Sequence, residues 1–219
     1  MIPDENPQHE YEIITLSDKE IFIKIWTSPR FIFSYLNDNN YDKYVNLLLI
    51  LAGLDRALDT AVSKNFGDKM SLLSILGFSV IGGIMWWAFY HLYAALIQWT
   101  GRWLNGKGTT RALVRMFAYA LFPAIVGLAF FLPLLFIFGN EMFQTEVDLS
   151  DVNVILTVVY YLFLFVQVVL TVWSVVLVVI GISVVQKMSI GKSILNMILP
   201  GVVIMVPLII LVMIFHSLK

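Results

Sequence analysis

Cysteine is absent from this 219-residue chain, and charge is scarce. Without cysteine there is no disulfide, no thiolate metal site and no cysteine nucleophile. Charged residues make up 13% of the chain against 59% hydrophobic, where a soluble domain carries about 25% charge. A water-soluble protein could not cover its surface with so few charges. A disordered one would hold far less Leu, Ile, Val and Phe. The net charge of −1 gives no reason to expect nucleic acid. Histidine is sparse too: His9, His91 and His216 lie in unrelated places, so neither a metal site nor a cofactor is expected. Met1 to Glu12 is polar and acidic, so no cleavable signal peptide is expected.

What is present is long apolar runs. Four contain no Asp, Glu, Lys or Arg: Met70–Gly101, Met116–Asn140, Val152–Gln186 and Ser193–Leu218. Each exceeds the roughly 20 residues a helix needs to cross a bilayer core. None alternates with period two, so a barrel is excluded and an all-α integral membrane protein is expected.

Tyr44–Leu54 is a shorter apolar run that continues into Asp55, Arg56 and Asp59. On a helical wheel Leu47, Leu51, Leu54, Leu58 and Val62 share one face, with the charges beside it. Two readings compete: a first span that hides its charges among other helices, or an interfacial helix that never crosses. Charge distribution favours the span. Lys19, Lys24, Arg30 and Lys43 precede it; Arg102, Lys107, Arg111 and Arg115 surround the next connection but one; Lys187 and Lys192 flank a later link. The 140–153 loop carries Glu141, Glu146, Asp148 and Asp151 and no base. The positive-inside rule then puts the basic segments in the cytoplasm. An even number of crossings must separate the N-terminal tail from the Arg102 connection, so Tyr44–Val62 must cross. The expectation is a five-helix transmembrane bundle with a cytoplasmic N-terminus and spans near 44–62, 71–98, 112–138, 153–185 and 194–216.

Ahead of it stand a polar tail (1–17) and a segment (18–40) expected to form an interfacial amphipathic helix. Ser28 before Pro29 reads as a helix start. Trp26, Phe31, Phe33 and Tyr35 with Lys24 and Arg30 suit a membrane interface, and packing on the helix ends suits them equally. The run 152–186 would be roughly 52 Å long as one helix, so its last turns are expected to protrude and pack on the cytoplasmic side. Gln167, Trp173 and Ser174 are its polar features.

Catalytic patterns appear only in fragments. Gly101 to Lys107 has the spacing G-x-x-x-x-G-K, but Gly108 follows where a phosphate-binding loop needs Ser or Thr. Gly191-Lys192-Ser193 has the ending without the first glycine, since Gln186 stands there. Ser79 and His91 share one span, about 18 Å apart along it, which rules out a serine–histidine pair across helices. Asp55 and Asp59 share one helix, so a two-helix aspartyl site is excluded too. No enzyme activity is expected.

Two groups remain as candidate sites. The first is Asp55, Arg56 and Asp59: Asp55 lies about 16 Å down the first span, where charge is costly and points to an ion or proton pathway or a polar recognition site. Pairing of Arg56 with Asp59 at i,i+3, with water reaching a short span, is the structural alternative. The second group is the connection bearing Trp99, Arg102, Trp103, Lys107, Arg111 and Arg115, suited to anionic lipid headgroups or a protein partner. Topology signalling with an aromatic belt explains it equally. Self-association, or association with other membrane proteins in the bilayer, is an expected partnership of so thin a bundle. Small residues at Ser79/Gly83 and Ala120/Ala124 permit close packing, and Pro123, Pro133, Pro200 and Pro207 can kink their spans.

Trp99–Pro123 (WTGRWLNGKGTTRALVRMFAYALFP) resembles the second-to-third-span signature of the YIP family, the Ypt/Rab-interacting membrane proteins. The shared elements are Trp99 or Trp103, the Gly101-Arg102 pair, Gly106-Lys-Gly108, and Ala-Tyr119-Ala with Pro123. Trp173–Ser193 is similar to that family's fourth-span ending, with Trp173-Ser, Gly181, and Lys192 opening the last span. The resemblance covers roughly residues 20–215. It implies five spans, a cytoplasmic N-terminus and a non-enzymatic scaffold or adaptor role. Eukaryotic members reside in early secretory and Golgi membranes, associate with one another and with Rab GTPases, and help shape vesicles. The chain lacks the Asp-Leu-Tyr-Gly-Pro motif of those members. Its short tail and missing cysteines suit a bacterial member in the cytoplasmic membrane. A small transporter, channel or lipid-moving protein working through the charged first span is the alternative.

Overall fold

The computed structural model describes residues 15–145 and 154–217. The expected acidic loop residues Glu146, Asp148 and Asp151, and the first fourteen residues of the tail, lie outside them. Every regular element described is helical. In order these are α1 (Asp18–Thr27), α2 (Pro29–Asp38), α3 (Val45–Ser63), α4 (Leu72–Trp103), α5 (Thr110–Ala120), α6 (Phe122–Phe138), α7 (Val154–Gln186) and α8 (Ile190–Ser217), with 3-10 turns at Phe66–Asp68 and Gly139–Phe143. Four stretches are long and apolar enough to cross a membrane: Leu72–Trp103, Thr110–Phe143, Val154–Gln186 and Ile190–Ile214. These correspond to the four charge-free runs. The three charges on α3 keep it out of that set.

Residues 18–38 form two helices rather than one. The first is closed by a capping box: Ser17 Oγ accepts from the Glu20 amide while the Glu20 carboxylate accepts from the Ser17 amide. Ser28 then ends α1 and precedes Pro29 at the start of α2, as its sequence suggested, although its hydroxyl makes no capping bond. Ile21, Ile25, Ile32, Phe33 and Leu36 are at most 1% exposed. They sit in the main core with α5 and the C-terminal half of α7. Burying five such side chains at roughly 1.5–3 kcal/mol each makes this segment a structural part of the bundle.

α3 and α4 are an antiparallel hairpin joined through the Phe66–Asp68 turn. They meet at two glycines: a methyl added to Gly53 would lie 2.5 Å from the Gly83 carbonyl oxygen, so only glycine allows this approach. Trp87 Nε1 donates to Asn46 Oδ1 at 3.2 Å across the same pair. Of the apolar stripe on the wheel, Leu58 is buried, Leu51, Leu54 and Val62 are half-buried and Leu47 is exposed. Leu47 is 54% exposed, while Leu48, Leu49, Ala52, Gly53, Asp55 and Leu58 face inward. The surface toward lipid is as apolar as the interior, so an apolar stripe does not mark the inside of a membrane bundle; small and polar residues do.

The Thr110–Phe143 stretch is broken at Leu121. Pro123 has no amide hydrogen, and the Ala124 amide leaves the helix ladder to donate to Ser174 Oγ on α7 at 3.1 Å. A neighbouring helix thus satisfies the freed backbone, as a bilayer requires. α7 is one helix of 33 residues. Its buried residues, from Leu170 to Gln186, fall in its second half, which packs on α2 and α5. α8 begins at Ile190, four residues before the expected span, and contains Pro200 and Pro207. Beyond Pro200 its described side chains are mostly exposed.

The connections sort into two ends. Asn140 Nδ2 donates to the Gly67 carbonyl and Thr145 bonds Asp68, which joins the start of the acidic loop to the α3–α4 turn. At the other end the Lys107 amide donates to the Gln186 carbonyl, joining the α4–α5 and α7–α8 connections.

Candidate functional site

The basic end is built around two aspartates, Asp18 at the start of α1 and Asp42 within the α2–α3 link. Asp18 accepts from Tyr41, Lys43 and Tyr44, the last at 2.7 Å. The Lys43 ammonium and the two phenols hold its carboxyl far below the usual range, and the same pairing raises Lys43. Burial, aided by Asp18, pushes the Tyr41 phenol up to about 12. Asp42 accepts from Arg111 Nε at 2.9 Å and from Arg115 Nε at 2.7 Å. Burial works against its charge, yet the hydrogen bonds from Arg115 and Arg111 outweigh it and keep its carboxyl low. Arg115 is only 3% exposed and also donates to Asn40. Tyr119, fully buried, donates to the Lys43 carbonyl.

Gln186 is the second organiser, and it sits inside the Gly101–Gly108 segment. Its Oε1 accepts from the Gly108 amide at 2.9 Å and its Nε2 donates to the Ile97 carbonyl at 3.2 Å. A methyl at Gly101 would overlap the Gln186 amide and stand 3.0 Å from Asn196 Nδ2. Gly106 and Gly108 are equally close to this side chain. The glycines that imitate a phosphate-binding loop are therefore a socket for a glutamine.

The six candidate residues of this connection divide accordingly. Arg111 and Arg115 bond Asp42. Trp99, Arg102, Trp103 and Lys107 point outward. Trp99, Arg102 and Trp103 lie on the last turn of α4, not in a loop, since the helix runs five residues past the expected span end. The two indoles meet edge to face at 4.9 Å. A separate cleft of about 310 Å³ runs from Lys107 to Lys187, past Arg111 and Arg115.

Asp55, Arg56 and Asp59 are treated differently. Asp55 is 7% exposed, on the inner face of α3, and the Gln167 amide of α7 lies beside it. Gly127 on α6 makes room for Gln167, because a methyl there would overlap the amide. The i,i+3 ion pair between Arg56 and Asp59 does not form. Among the described residues the ion pairs are Glu20–Lys24, Asp18–Lys43, Asp42–Arg111 and Asp42–Arg115. Arg56 instead lies over the Trp86 ring, 5.8 Å from its centroid. Two cavities adjoin the group. One of about 570 Å³ extends past Tyr90 and Tyr93 to Met197 and includes all three charges. Another of about 360 Å³ shares Arg56 and Asp59 and extends toward Met142 at the opposite end. Among the described residues no group of three or more His, Cys, Asp or Glu side chains could hold a metal ion.

The family description that matches is the Yip1 domain, over residues 23–212. The chain belongs to the Yip1 domain family. No curated protein and no solved structure matches it. It is an integral membrane protein, with four apolar helices able to span.

The residues that carried the resemblance occupy structural positions in this Yip1 domain. Gly101, Gly106 and Gly108 form the Gln186 socket; Tyr119 ties α5 to the start of α3; Pro123 opens α6 after the break. Gly181 lets α7 lie against Met116 of α5. Trp173 is half-buried on α7, and Lys192 is exposed on the first turn of α8. Asp18, Asp42 and Gln186 escaped the sequence reading. Ser17-x-x-Glu20 was a visible signal for the helix that bears Asp18, but nothing local to Asp42 or Gln186 announces partners 69 to 78 residues away.

Proposed function

We propose that this Yip1 domain protein is a non-enzymatic scaffold or adaptor that organises membrane lipids or protein partners. In this reading it crosses the bilayer five times and keeps its basic end in the cytoplasm of a bacterial cell. The placement rests on the family resemblance and on the charge distribution. The hairpin of α3 with α4 and the gathering of the basic connections at one end support five crossings. The segment of α1 and α2 then lies at the cytoplasmic interface, with its inner face in the bundle and Trp26 and Lys24 toward the headgroups.

The observation that carries the scaffold reading is the division of the α4–α5 connection. Gln186 and Asp42 hold its backbone and half its bases, so Trp99, Arg102, Trp103 and Lys107 project from a rigid frame. Two bases beside two indoles suit an anionic membrane surface or a partner at that surface, each base near such a surface being worth about 1 kcal/mol. Photo-crosslinking from position 103 in intact membranes tests this. Captured lipid or protein is expected to fall several-fold in Arg102→Ala/Lys107→Ala. Capture that ignores both bases would sink the assignment.

A second reading, a small lipid-moving protein or transporter, is favoured by one observation: Asp55, Arg56 and Asp59 adjoin two cavities and, among the described residues, make no ion pair. Transport or lipid movement in proteoliposomes that disappears in Asp55→Asn would displace the scaffold reading in its favour.

A further inference from the structure

The 570 Å³ cavity has a defined chemistry. We propose that it binds a zwitterionic phospholipid whose headgroup carries a primary ammonium, the ammonium between Asp55 and Asp59 and the phosphate on Arg56. The proposal rests on the second reading above and names its cargo.

Three features of the lining select this occupant. First, Asp55 and Asp59 stand one helical turn apart, so their Cβ atoms are about 6 Å apart, a span that one ammonium bridges with its three donors. Arg56, between them in sequence, is a fork for phosphate oxygens. A purely anionic lipid would satisfy Arg56 and be repelled by two carboxylates. A simple cationic amphiphile would leave Arg56 without an anion. A headgroup holding ammonium and phosphate answers all three charges.

Second, the rest of the wall suits the remainder of such a molecule. Trp86 and Tyr90 line the charged level, and aromatic faces attract an ammonium. Phe117, Val178 and Met197 continue the cavity as an apolar channel for part of an acyl chain. The volume falls within the roughly 300–1,000 Å³ of small-molecule sites. Third, the cavity has a lateral approach. Hydrogen bonds from Thr100 and Tyr93 of α4 to Asn196 and Met197 hold the start of α8. Past Pro200 the helix leaves its side chains exposed, so the cavity borders a side of the bundle that lipid can reach.

A quaternary ammonium cannot donate to the carboxylates, so a choline headgroup binds more weakly than an ethanolamine one. The test is native mass spectrometry of the full chain in detergent with added dioleoyl phosphatidylethanolamine, phosphatidylcholine or phosphatidylglycerol. The ethanolamine lipid is expected to bind at least tenfold better than the glycerol lipid. Asp55→Asn/Asp59→Asn should erase that preference, and Lys64→Ala, at an exposed position outside the cavity, should keep it. Equal binding of the three lipids, or a preference that survives the double variant, overturns the proposal. If the double variant does not fold, Arg56→Gln takes its place: it should lower ethanolamine-lipid binding several-fold, and unchanged binding overturns the proposal.

Lipid movement is read separately in proteoliposomes, with acyl-labelled ethanolamine and glycerol lipids. Movement of both at equal rates, with no binding preference, retains a lipid-moving protein and overturns the headgroup assignment. Selective binding without movement supports the assignment and overturns the lipid-moving reading.

Discussion

Asp42 and Asp55 stand 13 residues apart, one just before α3 and the other within it, and the fold treats them in opposite ways. Asp42 keeps a third of its side chain exposed and holds two arginines. Asp55 is nearly enclosed, and among the described residues no base lies within ion-pair distance of it. Charges at the basic end are spent on joining α3 to α5 and on seating α1. Those inside the bundle are left beside empty volume. In a chain with so little charge, internal pairing identifies which charges are structural. Enclosed charges without an ion pair are the costly ones, and here they are Asp55 and its neighbours.

Substitutions sharpen this contrast, most strongly at Arg115. Arg115→Leu leaves Asp42 without its buried partner and should cost about 3 kcal/mol, the low end for a broken buried pair because Asp42 still reaches water. Denaturation in mixed micelles measures it, and a loss under 1 kcal/mol would show that the Asp42 pairs carry little. Gln186→Leu should cost about 2 kcal/mol in the same assay, since the Gly108 amide and the Ile97 carbonyl lose their partner. Asp55→Asn should act with the opposite sign: it removes an enclosed unpaired charge and is expected to stabilise by about 1 kcal/mol. Destabilisation there would mean that Asp55 is structural after all and would erase the contrast.

A smaller effect comes from pH. Asp18, Glu20 and Asp42 have carboxyls lowered in the folded protein, Glu20 to about 2 through its bonds with Ser17 and Lys24. A lowered carboxyl stabilises fully above its unfolded value and loses that contribution as pH falls through the folded one. The melting temperature should therefore hold at neutral pH and drop as pH falls below about 4. Asp42→Asn should flatten part of that drop. The smallest effect is expected for Arg102→Ala, within about 0.5 kcal/mol, because its side chain is exposed and in no ion pair.

The legibility of the chain follows the range of the interactions involved. Four apolar helices could be read because a run of twenty apolar residues is a local property. The break at Leu121 was hinted by Pro123, but its repair by Ser174 was not, since that contact spans 50 residues. The buried face of α3 could not be read from its apolar stripe because lipid and core reward the same side chains, and the two glycines at the α3–α4 contact were the better signal. Of the candidate sites, the sequence marked the bases and the charges of α3, missed Asp18 and Asp42, and could not say which charges were already engaged.

Composition and the order of charges along the chain were enough to point to a helical membrane protein and its apolar helices, and the motifs of Trp99–Pro123 and Trp173–Ser193 to its family, because each depends on neighbours in sequence. Tertiary structure alone decided that Gln186 fills the glycine socket, that Asp42 consumes Arg111 and Arg115, and that Asp55 faces inward beside a cavity. Those outcomes depend on which helices meet, and a hydrogen bond or an ion pair has no periodicity that a linear sequence can display.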